Sequence, residues 1–387
     1  MLNVSKKGIT PSSFACVCGL IVGCCNTLLS ISITMGNSCF LFGDGAAAPF
    51  FTVIIPMYNV GHLVAECLQS VYMQDMAEDE YEVIVVNDCS TDDSCLYAEE
   101  AANGHPNTVI VCRQENGCCG GARNTALKQA HGRYVLFLDA DDFWQYTDTL
   151  SVFRKVIEAT DADVIDNNLI NSVCYDATLS RQTYGPAVKF LSVGCDELLD
   201  KPDFKPYPAW NAAYRLDTII RNGVWFAEHV QYEDVDWRMR IVYAAKSIAC
   251  VSFPYYCYRK NPKSILNKPS TKLMHDAVRC YTRIYAFASG DIRKTAKSYL
   301  CSWILSNVTS FPMLSRVYPL RESMIAISSM AQAGLLSKET YVSLCPDIRF
   351  SRRSRAVLYI LKEMPRVLIV PYRVAMLVKD AIRSRIG

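Results

Sequence analysis

From residue 50 onward, short apolar runs alternate with stretches whose apolar positions recur every three to four residues. Phe51 to Pro56 is a run of β-formers that stops at proline, and it predicts a buried strand. Val60 to Met73 has helical spacing. The same alternation repeats as strand Glu82–Val86, helix Asp92–Asn103, strand Thr108–Cys112, helix Ala122–Ala130 and strand Arg133–Leu138. Strands separated by single helical crossovers predict an α/β fold with a mostly parallel sheet flanked by helices. Ligands of such sheets sit beyond the carboxyl ends of the strands. Tyr58-Asn59, Asn87-Asp88 and Asp139 to Asp142 all fall there, so three polar clusters converge on one rim.

After Phe143 the alternation loosens. Ala162–Asp166 reads as another strand, and Leu191 to Asn211 as a connection rich in proline and aromatic residues. Leu216–Asn222 and Val235–Ala245 read as short helices and Ile248–Phe253 as a strand. Helical patterns dominate from Ser270. The chain therefore divides into an N-terminal segment (1–48), an α/β domain (49–268) and a helical C-terminal region (269–387).

The N-terminal segment stands apart. Lys6 and Lys7 precede an uncharged stretch from Gly8 to Gly43, apolar near Phe14–Leu29, and Ala46-Ala47-Ala48 mimics a small-residue cleavage site. It reads as a signal peptide, a membrane anchor or a non-native extension. Its polar interruptions weaken the first two readings.

Composition excludes more than it proposes. The formal net charge is +2 over 387 residues, which gives no electrostatic case for nucleic-acid binding. Eighteen cysteines are scattered without the paired CxxC or His spacing of a zinc site, so they read as reduced, partly buried thiols. The five histidines have no paired ligand spacing either.

Asp139-Ala140-Asp141-Asp142 ends the fourth predicted strand. Three carboxylates in four residues repel one another unless a cation or hydrogen-bond donors neutralise them. Mn²⁺ or Mg²⁺ takes one or two carboxylates and fills its remaining positions with phosphate oxygens and water, so this turn suits a metal–diphosphate complex. A solvated acidic turn is the plain alternative. A phosphohydrolase of the haloacid-dehalogenase type also carries DxD after a strand, but there it ends the first strand and is followed by Thr or Val.

Four ordered segments together resemble family 2 glycosyltransferases. They are Val53-Ile54-Ile55-Pro56-Met57-Tyr58-Asn59, Val85-Val86-Asn87-Asp88-Cys89-Ser90-Thr91-Asp92, Asn116-Gly117-Cys118-Cys119-Gly120-Gly121-Ala122-Arg123-Asn124, and Gly132 through Asp142. The resemblance covers residues 50 to 265 and implies a GT-A fold, a nucleotide-sugar donor, a divalent metal and inverting transfer. By that resemblance Pro56, Tyr58 and Asn59 line the nucleotide pocket, and Asp88 accepts a hydrogen bond from uracil. Asp139, Ala140 and Asp141 serve the diphosphate, with Asp141 and Asp139 on the metal. Arg123 is expected at a helix start, where it would favour phosphate, or else in an ion pair with a nearby Asp. Two departures stand out: Asn87 where the family often has Asp, and Cys118-Cys119 in a loop usually built from Gly, Ser or Ala.

Inverting transfer needs a base for the acceptor hydroxyl. Glu233-Asp234-Val235-Asp236-Trp237 resembles the family's Glu-Asp motif, which implies Asp234 as base with Glu233 orienting it or binding acceptor. An acidic helix N-terminus is the alternative. Tyr256-Cys257-Tyr258-Arg259 and Ser264-Ile265 resemble the segment that follows, which brings Arg259, like Asp142, into consideration for phosphate or acceptor. The processive QxxRW motif is absent, so transfer of one or a few sugars is expected.

Arg352, Arg353 and Arg355 open a C-terminal stretch in which apolar segments alternate with Arg366, Arg373, Lys379, Arg383 and Arg385, broken by Pro365 and Pro371. It reads either as a basic amphipathic surface for an anionic membrane or as a helix packed on the catalytic domain. Membrane docking would suit a lipid-linked acceptor and a cytoplasmic enzyme at the inner face of the cell membrane. The expectation is thus transfer from a UDP-sugar to a glycan or lipid-linked acceptor in cell-surface polysaccharide or glycolipid synthesis. A catalytically silent nucleotide-sugar-binding module is the alternative.

Overall fold

The computed structural model describes residues 48–167, 182–184, 190–194, 208–259, 271–288, 305, 308, 320–344, 352–363 and 365. The N-terminal apolar segment, Ser264-Ile265 and the basic residues from Arg366 onward lie outside the described residues.

In chain order the described elements are β1 (Phe51–Met57), α1 (Leu63–Tyr72), β2 (Tyr81–Asn87), α2 (Ser94–Ala102), β3 (Thr108–Cys112), α3 (Cys118–Leu127), β4 (Tyr134–Phe137), β5 (Phe143–Trp144) and α4 (Thr149–Thr160). Next come β6 (Val164–Asn167), β7 (Phe190–Gly194), β8 (Ala212–Arg215), α5 (Leu216–Arg221), α6 (Glu233–Ala244), β9 (Ser247–Val251) and β10 (Tyr256–Cys257). The C-terminal helices are α7 (Thr271–Ala288), α8 (Leu320–Gln332), α9 (Lys338–Leu344) and α10 (Arg352–Glu363).

Eight strands form one sheet in the order β3-β2-β1-β4-β8-β6-β9-β7. The half from β3 to β4 is parallel, as the crossover pattern predicts. Beyond β4 it becomes mixed, because β8 runs antiparallel to both β4 and β6 and β7 runs antiparallel to β9. The stretch expected to be a connection thus opens within β7, and β8 begins directly after it at Ala212. Ala212–Arg215 is four residues with little apolar contrast, and its strand state comes from the two neighbours that bracket it.

Every residue of β1 is buried, which is why its sequence is continuously apolar rather than alternating. Its side chains still divide by parity: Ile54 joins one layer with Ile84, Val86 and Phe137, while Val53 and Ile55 join the other with Val83 and Val85. Pro56 stays in this central strand because pairing with β4 has already ended at Ile54, so no ladder bond needs its missing N–H. The core layer containing Ile54 and Trp237 continues through Val278, Tyr281 and Ile284 of α7 into Ala326, Met330 and Leu358 of α8 and α10. The C-terminal helices therefore share a core with the sheet.

Candidate functional site

The three polar clusters meet at the carboxyl rim of β1, β2 and β4. Asn59, left-handed at φ 51°, follows β1 and accepts the Thr91 N–H at 2.7 Å, fastening the β1 and β2 loops together. Tyr58 beside it is 46% exposed. Asn87 closes the turn after β2, where its Oδ1 accepts the Ser90 N–H at 2.9 Å. The amide at this departure position thus does turn-capping work.

Asp88 is buried and held on one side only. Its Oδ1 accepts the Gly117 N–H at 2.9 Å and lies 2.9 Å from Nε of Arg113. Its Oδ2 is buried with no hydrogen-bond partner. Burial pushes this carboxyl up, and the Gly117 N–H and Arg113 oppose that. An unpaired buried carboxylate oxygen carries a desolvation cost that a ligand N–H would remove.

Arg113 was not singled out from the sequence. It also donates from Nη1 to the Gly121 carbonyl at 2.7 Å, so one guanidinium fixes Asp88 and the first turn of α3 together. This packing explains the glycines. A Cβ on Gly117 would come within 2.5 Å of the Arg113 guanidinium, and one on Gly120 within 2.1 Å of the Ala227 carbonyl oxygen. The only sequence signal for Arg113 was a cation just past a predicted strand end.

Helix α3 starts at Cys118, four residues before the predicted Ala122, and this changes the role of Arg123. It sits in the middle of the helix rather than at a free N-terminus. Buried against the rings of Phe137 and Phe226, it donates from Nη1 to Glu233 Oε1 at 2.6 Å and from Nη2 to Asp139 Oδ1 at 2.8 Å. Burial works against its charge, but Asp139 and Glu233 outweigh that and hold it more firmly protonated. Of the two sequence readings, the ion pair is the one formed, and it joins two carboxylates from distant segments. Asn124 makes the next link, donating to the Phe226 carbonyl and accepting the Phe226 N–H.

Asp139, Ala140 and Asp141 form the turn after β4, closed by the Asp142 N–H on the Asp139 carbonyl at 2.9 Å. Asp139 and Asp141 are half-buried and Ala140 is buried. Asp142 points inward: Oδ2 accepts from the Tyr256 hydroxyl and Oδ1 from the Arg259 N–H, each at 2.8 Å. Burial, then Asp139 and Asp141, push its carboxyl up to about 8. Below, β5 pairs antiparallel with β10, so the acidic turn is stitched to the Tyr256–Arg259 segment. Arg259 in turn reaches Glu66 of α1 at 2.6 Å and lies over the Phe143 ring. Asp142 therefore anchors the turn, and Arg259 holds it through its backbone N–H while its side chain lies on Glu66. Asp142→Ala should cost about 2–4 kcal/mol, since it strands two buried donors, whereas Asp142→Asn keeps an acceptor and should cost less. Urea denaturation of the two variants would measure the difference.

Glu233 and Asp234 open α6, two residues before the predicted start, after Tyr232 in a left-handed conformation at φ 68°. His229 is also left-handed, at φ 59°, and two such non-glycine residues cost about 1–3 kcal/mol each. Burial raises Glu233 to about 7 against the pull of Arg123, with Asp234 adding to the rise. Burial also raises Asp234, opposed by Arg123 and reinforced by Asp139. Asp236, the third acid, turns away to Arg240 and Arg283. The geometry thus joins Asp139 on the sheet rim to Glu233 on α6 through a single arginine, with Asp234 the next residue along the helix.

Among the described residues no group of three or more His, Cys, Asp or Glu side chains is arranged to hold a metal ion by itself. Asp139 already gives one oxygen to Arg123. What the turn offers is one or two carboxylates at an exposed strand end, a donor set that fits Mn²⁺ or Mg²⁺ only with phosphate oxygens and water completing the shell.

Residues 52–190 match the model of the family described as Glycosyl transferase family 2. The putative glycosyltransferase EpsH of Bacillus subtilis (strain 168) is 30% identical over 247 residues, spanning 62% of this chain and 69% of that protein. The poly(ribitol-phosphate) beta-N-acetylglucosaminyltransferase TarS of Staphylococcus aureus (strain MW2) is 30% identical over 211 residues, 54% of this chain but only 35% of that longer protein. The crystal structure of S. aureus TarS 1-349 in complex with UDP-GlcNAc superposes with a TM-score of 0.64 at 22% identity, covering 84% of this chain and 92% of that one. That likeness concerns the fold, which is GT-A with a helical C-terminal region.

Proposed function

Because the chain belongs to glycosyl transferase family 2, we propose that it moves a hexosyl or N-acetylhexosaminyl group from a UDP-sugar to an acceptor hydroxyl, with inversion. The observation that carries the donor side is the buried, unpaired Oδ2 of Asp88 at the same rim as Asp139 and Asp141. That oxygen suits the ring N–H of uracil, and the exposed Tyr58 ring, on the loop after β1, suits a base face. Asp141, with Asp139 nearby, would hold Mn²⁺ or Mg²⁺. Bound there, the ion would offset the charge of the departing diphosphate.

On the acceptor side, Asp234 takes the hydroxyl proton as the acceptor oxygen forms its bond to the anomeric carbon. The bond to the diphosphate breaks on the opposite face, and UDP leaves with the electron pair. Glu233 orients Asp234 or the acceptor, and Arg123 fixes Glu233 relative to Asp139. The acceptor is a cell-surface glycan, a teichoic-type polymer or a lipid-linked saccharide. The TarS name makes a polymer acceptor a natural first choice to try. Docking at the inner face of the membrane would use α10, which exposes Arg355, Tyr359 and Lys362 on one side. No helix among the described residues is long and apolar enough to cross a membrane.

The test is calorimetric titration of UDP with Mn²⁺, followed by release of UDP from a panel of UDP-sugars. The wild-type protein should bind UDP and slowly hydrolyse at least one UDP-sugar. Asp88→Ala should weaken UDP binding by about 10-fold or more, the worth of one hydrogen bond to a charged group. Protein that binds UDP but never releases it from a sugar would support the silent-module alternative. Absence of UDP binding would remove the donor assignment.

A further inference from the structure

The turn that carries Glu233 and Asp234 is held from outside the sheet. Lys272 of α7 donates to the His229 carbonyl at 2.9 Å and to Asp276 Oδ2 at 2.6 Å. The same Asp276 oxygen accepts the Gln231 N–H at 3.0 Å. Asp276 is 3% exposed, a buried carboxylate that pairs with Lys272 and Arg279 of its own helix and also reaches the loop. On the other side of that loop, the His229 N–H donates to the Gly117 carbonyl at 2.8 Å, while the Gly117 N–H is bound to Asp88. A continuous path of hydrogen bonds therefore runs from the proposed nucleobase acid, through Gly117 and His229, to Lys272, Asp276 and Gln231. It ends two residues before Glu233.

Of the two non-glycine left-handed residues here, His229 opens the span that Lys272 and Asp276 grip and Tyr232 directly follows its end at Gln231. Such conformations persist only where surrounding contacts fix them. We propose that Asp276, with Lys272, is a positioning residue that sets the aim of the catalytic base from the C-terminal helical region. It touches neither substrate nor reacting atoms, and it acts through the Gln231 amide. The proposal rests on the reading of Glu233 and Asp234 as the acceptor-side acids. It makes α7 part of the catalytic unit, although α7 lies beyond the residues that match the family model.

The experiment compares full-length Asp276→Ala, Asp276→Asn and Arg283→Met with wild type. Arg283 binds Asp236 across the same α6–α7 seam but does not touch the 229–232 turn, so it controls for loss of packing. With the UDP-sugar that wild type hydrolyses, Asp276→Ala should lower kcat by about 10- to 100-fold, the scale of a displaced catalytic group. UDP affinity in Mn²⁺ should stay within about twofold, because Arg113 holds Asp88 and the start of α3 independently of the 229–232 loop. Asp276→Asn keeps an acceptor for the Gln231 N–H and should recover most of the rate. Hydrogen exchange of amides 229–234 should accelerate in Asp276→Ala and not in Arg283→Met. The proposal is overturned if Asp276→Ala keeps the wild-type kcat and exchange. It is equally overturned if Arg283→Met loses as much rate, or if UDP affinity falls in step with kcat. Should wild type release no UDP, the transfer reading falls, while amide exchange still decides whether Asp276 holds the turn.

Discussion

An Asp234→Asn variant is expected to transfer sugar about 10²- to 10⁴-fold more slowly than wild type, the range of a lost general base. UDP binding should be nearly unchanged. The substitution keeps the shape of the side chain and its contact with the Val235 N–H, so folding is spared and only proton acceptance is lost. The pH profile gives a second check with two opposed signs. Burial raises both Glu233, to about 7, and Asp234, and each must shed its proton for the site to accept another. Transfer should therefore fall as pH drops below about 7. Stability moves the other way. A carboxyl raised in the folded state binds its proton more tightly there than in the unfolded chain. Its stabilising contribution is complete below the ordinary 4.5 and is lost as pH rises through about 7. Rates and urea midpoints measured between pH 5 and 8 should thus trend in opposite directions. A rate independent of pH across that window would remove Asp234 and Glu233 from the acceptor-side role.

Removing Arg123 should produce the largest loss of stability in the site, about 3–5 kcal/mol for Arg123→Ala, because it strands two carboxylates around a buried position. Glu233 loses a 2.6 Å partner and Asp139 a 2.8 Å partner in one substitution. The loss should shrink at low pH, where Glu233 is neutral. Arg123→Lys keeps the charge, but an ammonium lacks the planar fork that reaches both acids, so it should restore only part of the stability. Chemical denaturation at pH 5.5 and 7.5 separates these outcomes. An Arg123→Ala protein as stable as wild type at both pH values would mean that the pair is solvated and not the clamp described above.

Much of this molecule is written in local sequence. The apolar runs of β1, β2 and β4 announced a parallel sheet because strands buried on both faces leave no polar alternation to confuse the pattern. The rim acids were legible for a related reason: Asp88 and the Asp139 to Asp142 turn each follow such a run directly. The Glu233-Asp234 pair was legible as a motif, though not as a neighbour of Asp139.

What only tertiary structure decided is how these groups are shared out. Strand β8 exists because the neighbouring strands on both sides accept it, and its own residues carry little β signal. Asp142 looked equivalent to Asp139 and Asp141 by spacing, yet it is consumed by Tyr256 and Arg259, which arrive from more than a hundred residues away. Arg113 and Arg123 each find their carboxylates only when α3 is laid beside β2 and α6. Sequence pattern reports burial and local turn chemistry, because these act over a few residues. The pairing of charges depends on which segments the folded core brings within about 3 Å, a distance set by packing and invisible to spacing along the chain.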